Sequence, residues 1–312
     1  MALQPVLTII TPVFNGENFI AETVTSILDA LIAVPYEYIV LDDGSTDSTA
    51  IILSKFADRI RILSQSNIGE SATVNRGLHI AQGEFVLVIS ADDPLLTAEL
   101  VNRACKILSD NPEIVAIYPD WRIIDELGQV IMTKVLPEYS EEIMIGRCKC
   151  LPGPGTVFRK SAALKVGGRK DKWKYVGDYD FWLRMSRVGK IVRLPEVLAQ
   201  WRQNQKSTSI SQRGLEMATE RINVIDEFLA ENDLTERLKR KALGNSYYLA
   251  ARLAFFDPRV NGKTLLIKAF KSRGGWPEEA RIQVVLYIFL MPISSIMLKP
   301  IKSLIVRINS YK

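Results

Sequence analysis

The sequence GEFVLVISADDP, at residues 83–94, decides the fold expected for this chain. Its unbroken apolar run from Phe85 to Ile89 is typical of a strand covered on both faces, in a largely parallel sheet flanked by helices. Ligands of such sheets bind beyond the carboxyl ends of the strands, where Asp92 and Asp93 stand. Two ionised carboxylates in a crevice are costly unless a cation or ligand hydroxyls compensate for them. We therefore expect a hard divalent metal ion, Mg²⁺ or Mn²⁺, with an acidic helix cap before Pro94 as the structural alternative.

Length and composition predict one large α/β domain with a smaller appendage. The chain has 312 residues, of which 47% are hydrophobic and 24% charged, and its net charge is +5. From Arg237 onward it carries fifteen Lys and Arg but three Asp and Glu. One histidine, His79, and three cysteines leave little material for a zinc site or a catalytic triad. Sparse cysteine and the lack of a signal-peptide pattern predict a cytoplasmic catalytic domain.

Strand and helix patterns alternate along the first 111 residues and imply a doubly wound nucleotide-binding half. Strands are expected at about 6–11, 36–41, 60–63 and 85–89, and helices at about 18–31, 50–56, 71–81 and 97–111. The sequence has neither G-x-G-x-x-G after the first strand nor a G-x-x-x-x-G-K-[ST] motif. Metal, rather than a glycine-rich loop, is therefore expected to hold the phosphates.

Four motifs occur in the order and spacing that family 2 glycosyltransferases show. They are TIITPVFNG at 8–16, LDDGSTD at 41–47, the segment 67–77 and SADD at 90–93. The resemblance covers about residues 5–210. It implies the GT-A fold, a mostly parallel sheet covered by helices, together with a nucleotide-sugar donor and inversion at the anomeric carbon.

The same resemblance implies a set of donor residues. Asp43 or Asp42 would accept a hydrogen bond from the base, Asp92 would touch the ribose and Asp93 would bind the metal. Consecutive aspartates at a strand end can reach different atoms, because side chains alternate across a strand. Ser90 stands where many relatives carry a further Asp. The implied donor-nucleotide pocket comprises Thr11, Pro12, Phe14, Asn15, Asp42, Asp43, Gly44, Asn67, Asn75 and Asp92.

The resemblance also implies acceptor-side residues and a catalytic base in the second half of the domain. The sequence WKYVGDYDFWLR at 173–184 resembles the family's Glu-Asp segment, which implies Asp178 as the base, with Gly177 in place of the usual Glu. Asp180 is the rival, although it could serve as a helix cap. Trp182 is expected at the acceptor or phosphates.

The sequence LPGPGTVFRK at 151–160 has two interpretations that stay open. Gly153, Gly155 and Thr156 form either a tight turn before a strand or an amide-lined loop beside the phosphates or acceptor.

The segment AQWRQNQKS at 199–207 resembles the family's aromatic-Arg-x-His motif. It places Arg202 at the acceptor or phosphates and Asn204 where a histidine often helps to hold the metal. An amide oxygen can also bind a hard cation. The Q-x-x-R-W motif of processive synthases is absent, which favours single additions.

The domain boundary is expected between a catalytic domain at 1–213 and a helical region at 214–312. Helical patterns occur at about 215–231, 234–256 and 263–272. The tail at about 282–308 begins with a charge-free stretch that is short for a spanning helix of ~20 residues. It is either a peripheral anchor on the inner face of the membrane or a helix buried in the fold or in a dimer.

These observations predict metal-dependent, inverting transfer of a sugar, from a UDP-sugar by resemblance, to a glycan or lipid-linked acceptor in cell-surface polysaccharide synthesis. Two alternatives belong to other classes: a nucleotidyltransferase, and a non-catalytic protein that binds a nucleotide sugar or a membrane surface. Nucleic acid is not expected as a partner, because the basic residues flank an apolar tail instead of interleaving with aromatic residues.

Overall fold

The computed structural model describes residues 4–203, 213–255 and 257–275. The described residues fall into two compact units, one within 1–139 and 150–207 and the other within 140–149 and 208–312. The predicted boundary at residue 213 placed residues 140–149 in the catalytic domain, whereas in the structure they belong to the helical unit. Asn204, expected to contact the metal, lies outside the described residues, and so does the tail at 282–308.

Four parallel strands form the first half of the sheet, as predicted. They are β1 (Leu7–Val13), β2 (Tyr36–Asp42), β3 (Arg61–Ser64) and β4 (Phe85–Val88), in the spatial order β3-β2-β1-β4. Leu7, Ile9 and Ile10 of β1 are fully buried, which explains the continuous apolar run. The register pairs Val13 with Asp42, so the chain leaves β1 and β2 at the same edge.

Four helices alternate with these strands: α1 (Ile20–Leu28), α2 (Thr49–Ser54), α3 (Glu70–Ile80) and α4 (Ala98–Asp110). The Thr97 hydroxyl caps α4 by accepting from the Glu99 N–H at 3.2 Å. Helix α3 lies close to β1 because Gly77 has no side chain; a Cβ there would lie 2.8 Å from Ile10 Cγ2. The helices thus bury the sheet and leave its strand ends accessible to loops.

The second half adds antiparallel pairs to the sheet. It contains β5 (Ile114–Ile124), β6 (Val130–Lys134), β7 (Val157–Arg159) and β8 (Lys190–Arg202), with α5 (Lys160–Lys165) and α6 (Gly177–Met185) between β7 and β8. Strand β7 lies antiparallel between β4 and the first part of β5, β6 pairs antiparallel with the last part of β5, and β8 pairs with β5 in parallel along its length. This mostly parallel, helix-covered sheet confirms the predicted fold class.

The helical unit contains α7 (Gly214–Glu231), α8 (Glu236–Arg252) and α9 (Gly262–Arg273), close to the predicted ranges. A π-helical turn at Glu142–Gly146 belongs to this unit because α8 holds it. Asn245 Nδ2 donates to the Gly146 carbonyl at 2.7 Å, and Lys241 pairs with Glu142. Within residues 4–203, 213–255 and 257–275, no helix combines the length and the apolar character needed to span a membrane.

The contact between Gly83 and β1 gives a first prediction. A Cβ on Gly83 would lie 2.5 Å from the Thr8 nitrogen and 2.6 Å from the Leu7 carbonyl carbon, both of them backbone atoms that cannot rotate away. We expect Gly83→Ala to lower the free energy of unfolding by about 1 to 3 kcal/mol, as overpacking does. In the matched control Gly177→Ala, the new Cβ would come no closer than 3.5 Å to Ser71 Oγ. Thermal unfolding compares the two variants, and equal midpoints would contradict the prediction.

Candidate active site

The loops after β1 and β2 are tied together at the carboxyl edge of the sheet. Asn15, with a left-handed φ of 53°, donates its N–H to Ser45 Oγ at 2.9 Å and accepts from the Thr46 N–H at 2.8 Å. The Gly16 N–H donates to Thr49 Oγ1 at 2.9 Å. The polar run after β2 is therefore an interloop connection as well as a helix start.

The β1 residues predicted for the nucleotide pocket stand beside this connection. Thr11 is buried, with its hydroxyl 3.1 Å from the Tyr38 hydroxyl, whereas Pro12 is half-buried. Phe14 is 52% exposed, which is unusual for so large an apolar side chain next to a core strand. An exposed aromatic face at a strand end suits the stacking of a planar ring.

Asp43 organises the loop between β3 and α3. Its carboxylate accepts from the Ile68 and Gly69 N–H groups, each at 2.9 Å, and from Gln65 Nε2 at 2.7 Å. Burial acts to raise the pKa of Asp43, but these donated hydrogen bonds outweigh it and hold the pKa below its ordinary value. Asp43 is therefore a buried carboxylate that stays ionised.

The neighbouring residues complete this corner of the site. Asp42 Oδ1 accepts from the Ser45 N–H at 2.9 Å. Gly44 has a φ of 79°, and a Cβ there would lie 2.9 Å from the Asn67 nitrogen, so the structure brings Gly44 and Asn67 together. Sequence analysis missed Gln65, which lies in no recognised motif and links Asp43 to Arg76, whose Nη1 donates to Gln65 Oε1 at 2.5 Å.

Asp93 is held differently, in the loop after β4. It is 7% exposed, and its Oδ1 accepts from the Arg202 N–H at 2.7 Å. Burial and then the charge of Asp92 raise the pKa of Asp93 to about 8, against the opposing effect of that hydrogen bond. A cation bound here would offset both causes, so the donor set fits Mg²⁺ or Mn²⁺.

No group of three or more His, Cys, Asp and Glu able to hold a metal occurs in the part of the chain that the structure describes. A site that uses one or two carboxylates and completes its shell with water and substrate phosphates is the usual arrangement for Mg²⁺. Asp93 fits that arrangement.

Arg202, at the end of β8, fixes the Asp92–Asp93 loop. Its side chain is 1% exposed, Nε donates to the Asp92 carbonyl at 2.9 Å, and Nη2 pairs with Glu22 at 2.7 Å. Nη1 donates to the carbonyls of Asp125 and Glu126 at 3.1 and 3.0 Å. The guanidinium also lies 4.7 Å from the centre of the Phe19 ring. These partners are protein atoms; the predicted contact of Arg202 with a phosphate or acceptor stays a prediction.

Both candidate bases lie in the first turn of helix α6, but their surroundings differ. Asp178 is exposed in the first turn. Asp180 is 4% exposed and pairs with Arg184 at 2.5 Å and with Lys170 at 3.7 Å. Two cations thus neutralise Asp180 inside the fold, whereas Asp178 is accessible to a substrate hydroxyl.

The loop at 151–160 forms a tight turn in the structure. Gly155 has a φ of 76°, and a Cβ there would lie 2.5 Å from Ala199 Cβ, while the Thr156 hydroxyl donates to the Gly153 carbonyl at 2.7 Å. Trp182 is 7% exposed and packs edge-on against Phe158. The alternative role beside a phosphate or acceptor stays a prediction for these residues.

The Asn75 side chain makes two hydrogen bonds with the backbone of Arg169, at 2.7 and 2.8 Å. The predicted contact of Asn75 with the nucleotide stays a prediction.

Comparison with known proteins identifies the family. Residues 8–157 match the sequence model described as Glycosyl transferase family 2. This matched segment belongs to the family. Members of this family transfer sugars from nucleotide-sugar donors, and the suspected resemblance is confirmed.

Two relatives illustrate the range of the family. An uncharacterised glycosyltransferase of Rickettsia typhi is 29% identical over 66% of this chain and 66% of its own length. The hyaluronan synthase of Pasteurella multocida is 26% identical over 68% of this chain and 22% of its own length. The chain therefore spans no more than about two thirds of these relatives.

Two solved structures share the fold. S. aureus TarS residues 1–349, in complex with UDP-GlcNAc, superimposes with a TM-score of 0.62 at 16% identity, over 86% of this chain and 89% of that chain. The mannosyltransferase PcManGT of Pyrobaculum calidifontis, in complex with GDP-Man and Mn²⁺, gives 0.55 at 15% identity, over 96% and 83%. The likeness confirms the GT-A fold of the family 2 enzyme.

The burial of Arg202 gives the second prediction. Arg202→Met would remove three hydrogen bonds to carbonyls and the ion pair with Glu22 from a side chain that is 1% exposed, and each hydrogen bond from a charged group contributes about 1.5 to 3 kcal/mol. We therefore expect the variant to lose about 3 kcal/mol or more of unfolding free energy in urea titrations. The matched control Glu22→Gln removes an acidic partner that is 52% exposed and should cost less than about 1 kcal/mol. Similar losses of unfolding free energy in both variants would contradict the role of Arg202 in holding the loop.

Proposed function

We propose that this family 2 glycosyltransferase transfers a sugar from a UDP-sugar to a hydroxyl of a glycan or lipid-linked acceptor, with inversion, in the synthesis of a cell-surface polysaccharide. The observation that carries the proposal is the contrast among three aspartates of the catalytic unit. Asp43 is buried and ionised, Asp93 is buried and poorly compensated, and Asp178 is exposed. The complex of TarS with UDP-GlcNAc and the relation to hyaluronan synthase support the donor and product classes.

Asp43, or its neighbour Asp42, would bind the nucleotide base. Hydrogen bonds from the β3–α3 loop keep the Asp43 carboxylate ionised, so it remains an acceptor for a base N–H. Phe14 is exposed at the adjacent strand end and could stack on the base. Asp92, half-buried beside Asp93, would reach the ribose hydroxyls.

Asp93 would hold the divalent cation, and Asn204 is the proposed second contact. A Mg²⁺ or Mn²⁺ ion at this position would supply positive charge to the diphosphate as it departs. Arg202 orients the carboxylate for this task through its backbone N–H, while its guanidinium fixes the Asp92 carbonyl. The complex of PcManGT with GDP-Man and Mn²⁺ supports such a cation.

Asp178 would act as the general base. It accepts the proton of the acceptor hydroxyl while that oxygen attacks the anomeric carbon from the face opposite the diphosphate. The new carbon–oxygen bond forms as the bond to the phosphate oxygen breaks, and the configuration inverts. The exposure of Asp178 at the start of α6 supports this role, because an acceptor must reach its carboxylate from solvent.

A peripheral position on the inner face of the membrane is part of the proposal for the acceptor. It rests on the apolar, then basic, sequence at 282–308. An acceptor linked to lipid would be presented at that surface.

The third prediction tests the base. Purified protein with a panel of UDP- and GDP-sugars and Mn²⁺ should release a nucleoside diphosphate, and Asp178→Asn should lower turnover by ~10²–10⁴-fold because general-base assistance is lost. UDP affinity, measured by calorimetry, should remain unchanged.

Asp180→Asn is the matched control, two residues further along α6. It should lower the thermal midpoint, because Arg184 and Lys170 lose a buried partner, and should lower turnover far less than Asp178→Asn does. If Asp178→Asn kept most activity, or if the loss followed Asp180 instead, the base assignment would be wrong. Release of pyrophosphate from a nucleoside triphosphate would identify a nucleotidyltransferase instead.

A further inference from the structure

Helix α3 holds Arg169, the first residue after the turn that follows α5. Asn75 Nδ2 donates to the Arg169 carbonyl at 2.7 Å, and the Arg169 N–H donates to Asn75 Oδ1 at 2.8 Å. Near the start of the same helix, Glu70 accepts from Arg169 Nη1 at 2.9 Å. The helix therefore fixes both the backbone and the side chain of this residue.

Two consecutive glycines form the turn and differ in one respect. Gly167 and Gly168 both have left-handed backbones, with φ of 77° and 68°. A Cβ on Gly168 would lie 2.3 Å from Asn75 Oδ1, whereas a Cβ on Gly167 would meet nothing within 4 Å. Position 167 thus requires glycine for its conformation, and position 168 requires it for conformation and for the approach of Asn75.

Eight residues, 170–177, separate Arg169 from Asp178, and the far end of this segment also lies close to α3. The Cβ position of Gly177 lies 3.5 Å from Ser71 Oγ of α3. Asp180 of α6 pairs with Lys170 at 3.7 Å, and Arg184 donates to the Val166 carbonyl at the end of α5. The segment before the base is therefore tied to α3 and α6 at its near end, and its far end lies close to α3.

Helix α3 also contacts the donor side of the site. It begins directly after Gly69, whose N–H donates to Asp43 Oδ2 at 2.9 Å. One helix of eleven residues thus carries the contact that orders the end of β2 and the contact that orders the segment before Asp178.

We propose that Asn75 is a positioning residue: through Arg169 it sets the place of Asp178 relative to the donor bound at Asp43. The inference rests on the proposed function, because it takes Asp178 as the base. Asn75 need not touch the substrate to act in this way. Its two hydrogen bonds fix the start of the segment 170–177 to α3, the helix that begins directly after the residues bound by Asp43.

The magnitudes favour an effect on catalysis over an effect on folding. A neutral hydrogen bond contributes about 1 kcal/mol to stability, so losing two leaves a unit with this large core folded. A catalytic group displaced by about 1 Å can cost 10²-fold in rate. Removing Asn75 should therefore lower turnover far more than stability.

The experiment compares three variants that differ in this contact. Asn75→Ser removes both hydrogen bonds, Gly168→Ala pushes a methyl group into the Asn75 amide, and Gly167→Ala adds the same backbone strain without the collision. We expect the first two to lower the turnover of the nucleotide sugar that the wild type uses by roughly 10- to 100-fold, with unchanged UDP affinity. Gly167→Ala should keep turnover near that of the wild type.

Two further measurements separate positioning from general damage. Amide hydrogen exchange at 170–178 should accelerate in Asn75→Ser and not in Gly167→Ala, while exchange in β1 and β4 stays slow. In an Asp178→Asn background, Asn75→Ser should cause no further loss of turnover, because no base remains to be misplaced. A purely structural defect would lower the rate by the same factor in both backgrounds.

The outcomes distinguish this inference from the proposed function. If the wild type and Asn75→Ser turn over equally while Asp178→Asn is impaired, the positioning role is wrong and the proposed function stands. If the wild type releases no nucleoside diphosphate from any nucleotide sugar, the proposed function fails, and the positioning of a base fails with it. Unchanged exchange at 170–178 in Asn75→Ser overturns the inference whatever the activity.

Discussion

The bond between the Arg202 N–H and the Asp93 carboxylate, 2.7 Å long, is the contact on which the candidate site depends. It exists because β8 runs parallel to β5 and ends where the chain leaves β4. The buried guanidinium of the same residue holds the Asp92 carbonyl and two further carbonyls, with Glu22 as its acidic partner. One residue at the end of the last strand therefore fixes the backbone of the predicted metal loop and orients its carboxylate.

The site places two buried carboxylates in opposite electrostatic states, after the two strands β2 and β4 that flank β1. Asp43 receives two backbone hydrogen bonds and one from Gln65, so its charge is satisfied by the protein and its pKa is low. Asp93 receives a backbone N–H, but burial and the adjacent Asp92 raise its pKa to about 8, so a cation from outside the protein would stabilise its ionised form. This difference is the reason that the proposed function gives the first carboxylate a neutral hydrogen-bonding ligand and the second a cation.

The sequence was informative where the relevant interactions are local. Apolar runs predicted β1, β2 and β4 because each is buried on both faces, and the motif at 90–93 placed Asp93 correctly beyond β4. Interactions between distant segments were not visible: Arg202 and Asp93 are 109 residues apart, and Asn75 and Arg169 are 94 apart. The sequence did not show that residues 140–149 belong to the helical unit for the same reason, because Asn245, which holds Gly146, lies 99 residues away in the sequence. Motif recognition named Arg202 and Asn75 as ligand contacts, whereas their described partners are protein atoms.

The most direct test of this account is the effect of Mn²⁺ on UDP affinity, measured by calorimetry for the wild type and for Asp93→Asn. The substitution keeps an oxygen that can accept from the Arg202 N–H but removes the charge. The account predicts that Mn²⁺ strengthens UDP binding by about tenfold or more in the wild type, equivalent to about 1.4 kcal/mol, and has no effect in the variant. An equal Mn²⁺ effect in both proteins, or none in the wild type, would contradict the assignment of Asp93 as the residue that holds the cation.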